Sequence, residues 1–188
     1  MKKILFSIYI VAFAMLISCQ SEQKQAQSED AVKTISGELT YQVPEEWHQI
    51  MPSSSMRKAQ FVLPGFENGG DGELAVFVFP GSGGSVQANI DRWIGQFKPS
   101  DEDNSVHQET NKIKVNGLDV TLVFARGTYM NSGMAMSGPV EELPDYALMA
   151  AIVETSGDPW FFKAVGPQAT MDHWRDAFEK FATTVNEN

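Results

Sequence analysis

The sequence predicts an α+β domain in which an antiparallel sheet of about six to seven strands carries one amphipathic helix on each face. Three observations lead to this fold class. Tight-turn signals join neighbouring apolar segments, which favours antiparallel pairing. Two segments place apolar residues at helical spacing. Several strand-like segments are apolar on both faces, which an antiparallel sheet requires only where both faces are covered.

The strands are predicted from alternating or concentrated β-branched and aromatic residues that Pro and Gly interrupt. The expected strands are Leu39–Val43, Arg57–Leu63, Leu74–Phe79, Val106–Val115, Leu118–Met130, Tyr146–Glu154 and Trp160–Val165. Asn116-Gly117 predicts a tight hairpin, because both central residues of a type I′ turn need positive φ. A second hairpin is expected around residues 156–159, and residues 131–144 read as a long loop rich in Gly, Met, Pro and Ser.

Two helices are predicted from their apolar stripes. Ser85 is expected to cap a helix that runs to about Phe97, and Thr170 to cap the last helix of the chain. The first stripe comprises Val86, Ile90, Trp93, Ile94 and Phe97. The second stripe comprises Met171, Trp174, Ala177, Phe178, Phe181, Ala182 and Val185. One helix on each face would bury both sides of the sheet.

The amino terminus has the features of a secretion signal. Two lysines precede an apolar run from Ile4 to Ile17, which is too short for a membrane-spanning helix. Leu16-Ile17-Ser18-Cys19 resembles the lipobox of bacterial lipoproteins. That resemblance implies lipidation of Cys19 and cleavage before it, and several acyl chains make a stable anchor. We therefore expect a signal peptide over residues 1–18, a flexible tether over 19–34 and one domain over 35–188.

Localisation and charge follow from the same residues. Gln20 follows the lipidated position, where Asp would favour the inner membrane of a Gram-negative cell. The lipoprotein resemblance therefore implies a cell-envelope protein which, if the cell is Gram-negative, is on the outer membrane and faces the periplasm. The formal charge of −10 argues against nucleic-acid binding. A single cysteine excludes an internal disulfide framework and multi-cysteine metal sites, and we expect no cofactor.

Three segments carry a further resemblance. They are residues 55–61 after Trp47, Gly83-Gly84-Ser85 with Asn89, Arg92 and Trp93, and Trp160–Lys163 leading to Gly166-Pro167. Together they resemble a group of uncharacterised bacterial envelope proteins and, more distantly, the PsbP-like α/β/α sandwich of photosystem II extrinsic proteins. The resemblance spans about residues 35–185. It implies the sandwich fold and transfers no oxygen-evolving role, since one fold hosts many functions.

Two surfaces are candidate binding sites. Ser82, Gly83, Gly84 and Ser85 lie between a strand and a helix, where backbone amides could hold an anion. The 131–144 loop is long enough to be functional. With the strand that enters it, this loop supplies the candidate residues for binding a partner or ligand: Arg126, Tyr129, Met130, Met134 and Met136.

These features favour a lipid-anchored binding or scaffolding protein whose partner is the membrane together with another envelope protein or a small ligand. Two alternatives stay open at this point. One is an envelope hydrolase with a site assembled in space from residues such as His48, His107 and His173. The other is Cu(I) handling by the three loop methionines, because thioethers are soft ligands. We expect no His, Asp or Glu metal site.

Overall fold

The computed structural model describes residues 33–35, 39–99, 105–132 and 140–188. Within these residues the main sheet is antiparallel and contains eight strands. They are β3 (His48–Ile50), β4 (Arg57–Leu63), β5 (Gly72–Val78), β6 (Phe97–Lys98), β7 (His107–Val115), β8 (Leu118–Asn131), β9 (Glu141–Glu154) and β10 (Trp160–Pro167). Their order in the sheet is β3-β4-β5-β10-β9-β8-β6, with β7 paired to β8 beside β6. The helices are α1 (Val86–Ile94) and α2 (Gln168–Ala182).

Both faces of this sheet are buried, as the sequence predicts. Side chains on β8 alternate between the faces: Leu122 and Phe124 belong to the core under α2, whereas Val123 belongs to the core under α1. From α2, Phe178 and Phe181 enter the larger core. The prediction of an antiparallel sheet with one helix on each face is therefore confirmed.

A second, smaller sheet differs from the prediction. The first expected strand, β2 (Leu39–Val43), does not join the main sheet but pairs with β1 (Lys33–Ile35) and β11 (Asn186–Glu187). Its inward residues contact the larger core, where the Tyr41 ring meets Phe181 at a centroid distance of 5.6 Å. Its alternating pattern indicates one buried face correctly, yet alternation alone does not say which sheet that face belongs to.

Part of the predicted loop over 131–144 is strand. β8 continues to Asn131 and β9 starts at Glu141, so these strands form a hairpin arm beyond the end of β10. Pro144 fits within β9 because β10 reaches only to Tyr146, which leaves Pro144 without a strand on that side. β9 has an extra residue where the β8–β9 register shifts, and Asp145, with φ of 54°, lies at this bulge. Residues 133–139 lie outside the described residues.

Turns and caps confirm part of the local prediction. Asn116 and Gly117 have φ of 49° and 89°, as the tight hairpin requires. Ser85 caps α1, and its hydroxyl oxygen accepts a hydrogen bond from the Ala88 amide at 3.1 Å. The helix ends at Ile94, earlier than predicted, and Phe97 lies in β6. Its ring remains in the core under α1.

The predicted cap of the last helix is wrong. α2 begins after Pro167, whose fixed φ suits a helix start, and ends at Ala182 rather than near Val185. The Thr170 hydroxyl is used elsewhere: it donates to the Gly70 carbonyl at 2.9 Å and accepts from the Phe66 amide at 3.1 Å. In the part of the chain that the structure describes, neither helix is long and apolar enough to cross a membrane.

Candidate functional site

A polar cleft of about 240 Å³ opens on the α2 side of the sheet, between α2 and strands β7 to β9. We call it the arginine cleft. Its apolar lining includes Phe124, Met149 and Met171. Its charged or titratable side chains are His107, Glu109, Arg126, Asp172 and Arg175. Acidic and basic side chains therefore lie over an apolar surface.

Strand alternation and helix periodicity bring these residues together. Glu109 of β7 lies opposite Phe124 of β8, and His107 opposite Arg126, so each pair shares one face of the sheet. On α2, Arg175 follows Met171 by four residues and therefore lies one turn further along the same side of the helix.

Arg175 is the fixed element of the cleft. Its guanidinium donates two hydrogen bonds to the Glu109 carboxylate, at 2.5 and 3.3 Å, and a third to Glu179 at 3.2 Å. The guanidinium carbon also lies 4.1 Å from the centroid of the Phe124 ring. Such a bidentate and stacked arrangement is one that arginine provides and lysine does not.

The same ion pair shifts the pKa values of both of its members. Hydrogen bonds and charge attraction from Arg175 lower the pKa of Glu109, and the more distant charge of Arg126 lowers it further. Glu109 in turn raises the pKa of Arg175. Arg126 is exposed, so its guanidinium is accessible to a carboxylate brought by a ligand or partner.

The lining of this cleft combines charged groups with apolar surface. Among the described residues that line it there is no serine. A guanidinium, carboxylates and an apolar floor are instead suited to recognising a polar group by charge and shape.

The structure separates the residues that the sequence grouped into one binding surface. Arg126 lines the arginine cleft, whereas Tyr129 packs on the opposite face of the sheet, in the core under α1. There its ring contacts Phe97 at a centroid distance of 5.2 Å. The Met130 amide donates to the Gln96 carbonyl at 2.7 Å. Met134 and Met136 lie outside the described residues, as does Cys19.

The loop at Ser82, Gly83, Gly84 and Ser85 is held by its own contacts. The side-chain amide nitrogen of Asn89 donates a hydrogen bond to the Gly83 carbonyl at 2.7 Å. Gly84 has φ of 71°, a conformation that glycine adopts without strain. The sharp turn and the helix cap thus match expectation, and the anion-binding role of this loop stays a prediction.

Sequence reasoning missed Asp172 and Arg175. Arg175 is separated from Glu109 by 66 residues, so no local motif joins them. The available signal was weak: a charged residue stands one helical turn after Met171, beside the apolar stripe of the last helix.

Comparisons with known proteins bear on the fold. No protein-family model matches the sequence, and no curated protein matches it. Cyanobacterial PsbP from Synechocystis is similar in structure, with a TM-score of 0.51 and 10% identity over 87% of this chain and 96% of that chain. The chain has a PsbP-like fold.

Two further solved structures are similar to this chain. PA94, a protein of unknown function from Pseudomonas aeruginosa, gives a TM-score of 0.50 and 13% identity over 84% of this chain and 97% of that one. LpqN, described as involved in cell envelope biogenesis of Mycobacterium tuberculosis, gives a TM-score of 0.46 and 12% identity over 85% of this chain and 86% of that chain. At such identities the likeness concerns the path of the chain, and function rests on the sites.

Proposed function

We propose that this protein is a lipid-anchored protein of the cell envelope, on the outer membrane where the cell is Gram-negative, and that its domain binds a partner. The observation that carries the proposal is the position of Cys19, directly after an apolar run and the residues Leu16-Ile17-Ser18. Acyl chains on this cysteine would hold the domain at the membrane surface. The domain's acidic composition gives no electrostatic attraction to anionic headgroups, so the anchor carries the attachment.

The partner-binding surface that we assign is the arginine cleft. Arg175 and Glu109 form a fixed pair, and the exposed Arg126 lies close enough to act on Glu109 through its charge. A partner that presents a carboxylate to Arg126 would gain a charge-assisted hydrogen bond. Little side-chain entropy would be lost on binding, because the neighbouring ion pair is already in place. The partner class is therefore another envelope protein or a small ligand with a carboxylate.

The anchor is tested by labelling cells with radioactive palmitate. The chain should incorporate label and fractionate with membranes, and Cys19→Ser should abolish both. Ser21→Ala is the matched control, because it alters a polar residue near the cysteine without removing the thiol. Incorporation that survives Cys19→Ser, or membrane attachment that is unchanged by it, refutes the anchor.

The cleft is tested by photo-crosslinking in intact cells from a reactive residue placed at position 107, on the cleft rim. A discrete adduct should form, disappear with Arg126→Glu and persist with Arg126→Lys, which keeps the charge. The same reactive residue at position 114, in the distant β7–β8 hairpin, is the control. An adduct that is insensitive to Arg126→Glu, or equally strong from position 114, would contradict this assignment.

A further inference from the structure

The α1 side of the sheet is covered unevenly. Ile90 and Trp93 of α1 are buried over β8 to β10, where the Trp93 and Phe161 rings meet at 6.2 Å. Towards the β8–β9 arm, Tyr129 and Tyr146 remain half-buried. Their rings lie nearly parallel, with an interplanar angle of 10° and centroids 6.3 Å apart. This end of the face therefore presents flat aromatic surface that α1 does not cover.

Lys163 lies at the centre of this less-covered region. In the sheet it stands between Ala75 of β5 and Ala150 of β9, whose small side chains leave room for its own. Its ammonium nitrogen donates to the Gln96 side-chain oxygen at 2.6 Å and lies 5.7 Å from the centroid of the Tyr129 ring. In the part of the chain that the structure describes, the hydrogen-bond acceptor of Lys163 is thus a neutral amide.

The charges around Lys163 are predominantly positive. Burial, followed by the charges of Arg92 and Arg57, lowers the pKa of Lys163 to about 8. Arg57 is paired with Glu73 at 2.6 Å, and Glu73 accepts a second hydrogen bond from Gln60 at 2.6 Å. Glu73 is thereby held by neighbours on β4, although burial and then the charge of Glu73 raise the pKa of Tyr129. A covered ammonium with a neutral acceptor and two arginines nearby is costly for the fold, and an anion placed beside it would offset that cost.

Arg92 is a second cation of this region, and its charge acts on Lys163. It is exposed at the last turn of α1, and one of its guanidinium nitrogens donates to the Asn89 side-chain oxygen at 2.7 Å. This bond holds the side chain in place, while the remaining donors of the guanidinium fork can bind an oxygen anion.

We propose that Lys163, Arg92 and the paired rings of Tyr129 and Tyr146 form a binding site for a small molecule that joins an anionic oxygen group to a flat apolar body. The anion lies between the ammonium and the guanidinium, and the apolar body lies against the tyrosine rings. A carboxylate and a phosphate share the required chemistry. This site is on the opposite face of the sheet from the arginine cleft and is independent of the proposed function.

The test uses the full wild-type chain in detergent and an amine-acylating reagent, with each lysine read by mass spectrometry. Benzoate, acetate and inorganic phosphate are the probes, and Lys58, an exposed lysine of β4, is the internal control. Benzoate should slow the labelling of Lys163 by about fivefold or more at saturation, with acetate weaker and Lys58 unaffected. Protection by phosphate and not by benzoate would support the anion site and overturn its aromatic part. Equal labelling with and without all three probes overturns the proposal.

A binding measurement with variants completes the test. Titration calorimetry with benzoate should show a loss of affinity of about tenfold or more for Lys163→Met, because a charge-assisted hydrogen bond is removed. Lys58→Met should bind within about twofold of the wild type. Unchanged affinity in Lys163→Met overturns the proposal. If that variant does not fold, the labelling of the wild-type chain tests the proposed site by itself. Arg126→Glu should not alter the protection of Lys163 from labelling by benzoate, which separates this site from the arginine cleft.

Discussion

Replacing Lys163 by Met is expected to stabilise the free protein at neutral pH. Methionine keeps the length of the side chain and removes its charge. Each pKa unit corresponds to about 1.4 kcal/mol, so lowering the pKa of Lys163 from 10.5 to about 8 costs the folded state about 3 kcal/mol. The Gln96 oxygen loses its donor in the variant, at a cost of about 1 kcal/mol. The expected net gain in the free energy of unfolding is about 2 kcal/mol.

The gain should depend on pH with a defined sign. Below pH 8 the lysine is protonated in both the folded and unfolded states, so the full cost of its charge is present. Between pH 8 and 10.5 the folded state loses the proton first, and the cost declines. Above pH 10.5 the lysine is neutral in both states. The advantage of Lys163→Met over the wild type should therefore fall through this window and end slightly negative.

Urea unfolding at pH 7, 8.5 and 10 measures this difference, with the linear extrapolation applied to both chains. Burial also raises the pKa of Tyr41, but that group is common to both chains and cancels in the comparison. Lys58→Met is the control, since Lys58 is exposed, and it should not stabilise the protein at pH 7. A Lys163→Met difference that is constant with pH, or a variant less stable than the wild type at pH 7, would refute the electrostatic reasoning.

Three further substitutions test the packing, each by urea unfolding. Gly166→Ala should lower the free energy of unfolding by about 2 kcal/mol, because the new Cβ would lie 2.7 Å from the Gly72 Cα. A variant as stable as the wild type would show that the two strands can move apart at no cost. Ser85→Ala should cost about 1 kcal/mol through the lost helix cap, and a neutral result would mean that water replaces it. Phe181→Ala should cost about 3–5 kcal/mol, since the ring is 2% exposed among other aromatic rings; a loss below about 1 kcal/mol would contradict this core.

The fold was predictable where one local signal decides the structure. The Asn116-Gly117 turn, the two apolar stripes and the strands that are apolar on both faces each depend on a few neighbouring residues, and each is confirmed. The extent of the β8–β9 arm was not predictable in this way. Pro144 and the nearby glycines are typical of a loop, and only the absence of β10 beside this part of β9 allows a proline there.

The candidate sites depend on contacts between distant parts of the chain. Arg126 could be singled out because its predicted strand leads into the expected loop, but its neighbour Glu109 is held by a residue 66 positions further on. Lys163 was not singled out, since it is one polar residue in an apolar strand. Its significance comes from the side chains that α1 and β4 place around it, Arg92 and Arg57, which no spacing rule connects. Tyr129 was assigned to the same surface as Arg126, although the sheet separates them.

That separation has an energetic consequence. Arg126 lies on β8 opposite Ala147, and Lys163 lies two strands away on β10, on the other face of the sheet. Strands are about 4.8 Å apart, so the two side chains share no contact and are further apart than the range over which substitutions usually couple. The stability changes of Arg126→Ala and Lys163→Met should therefore add to within about 0.5 kcal/mol in the double variant. A larger coupling energy would mean that the sheet transmits the state of one site to the other, and the two sites would then have to be treated as parts of a single binding mechanism.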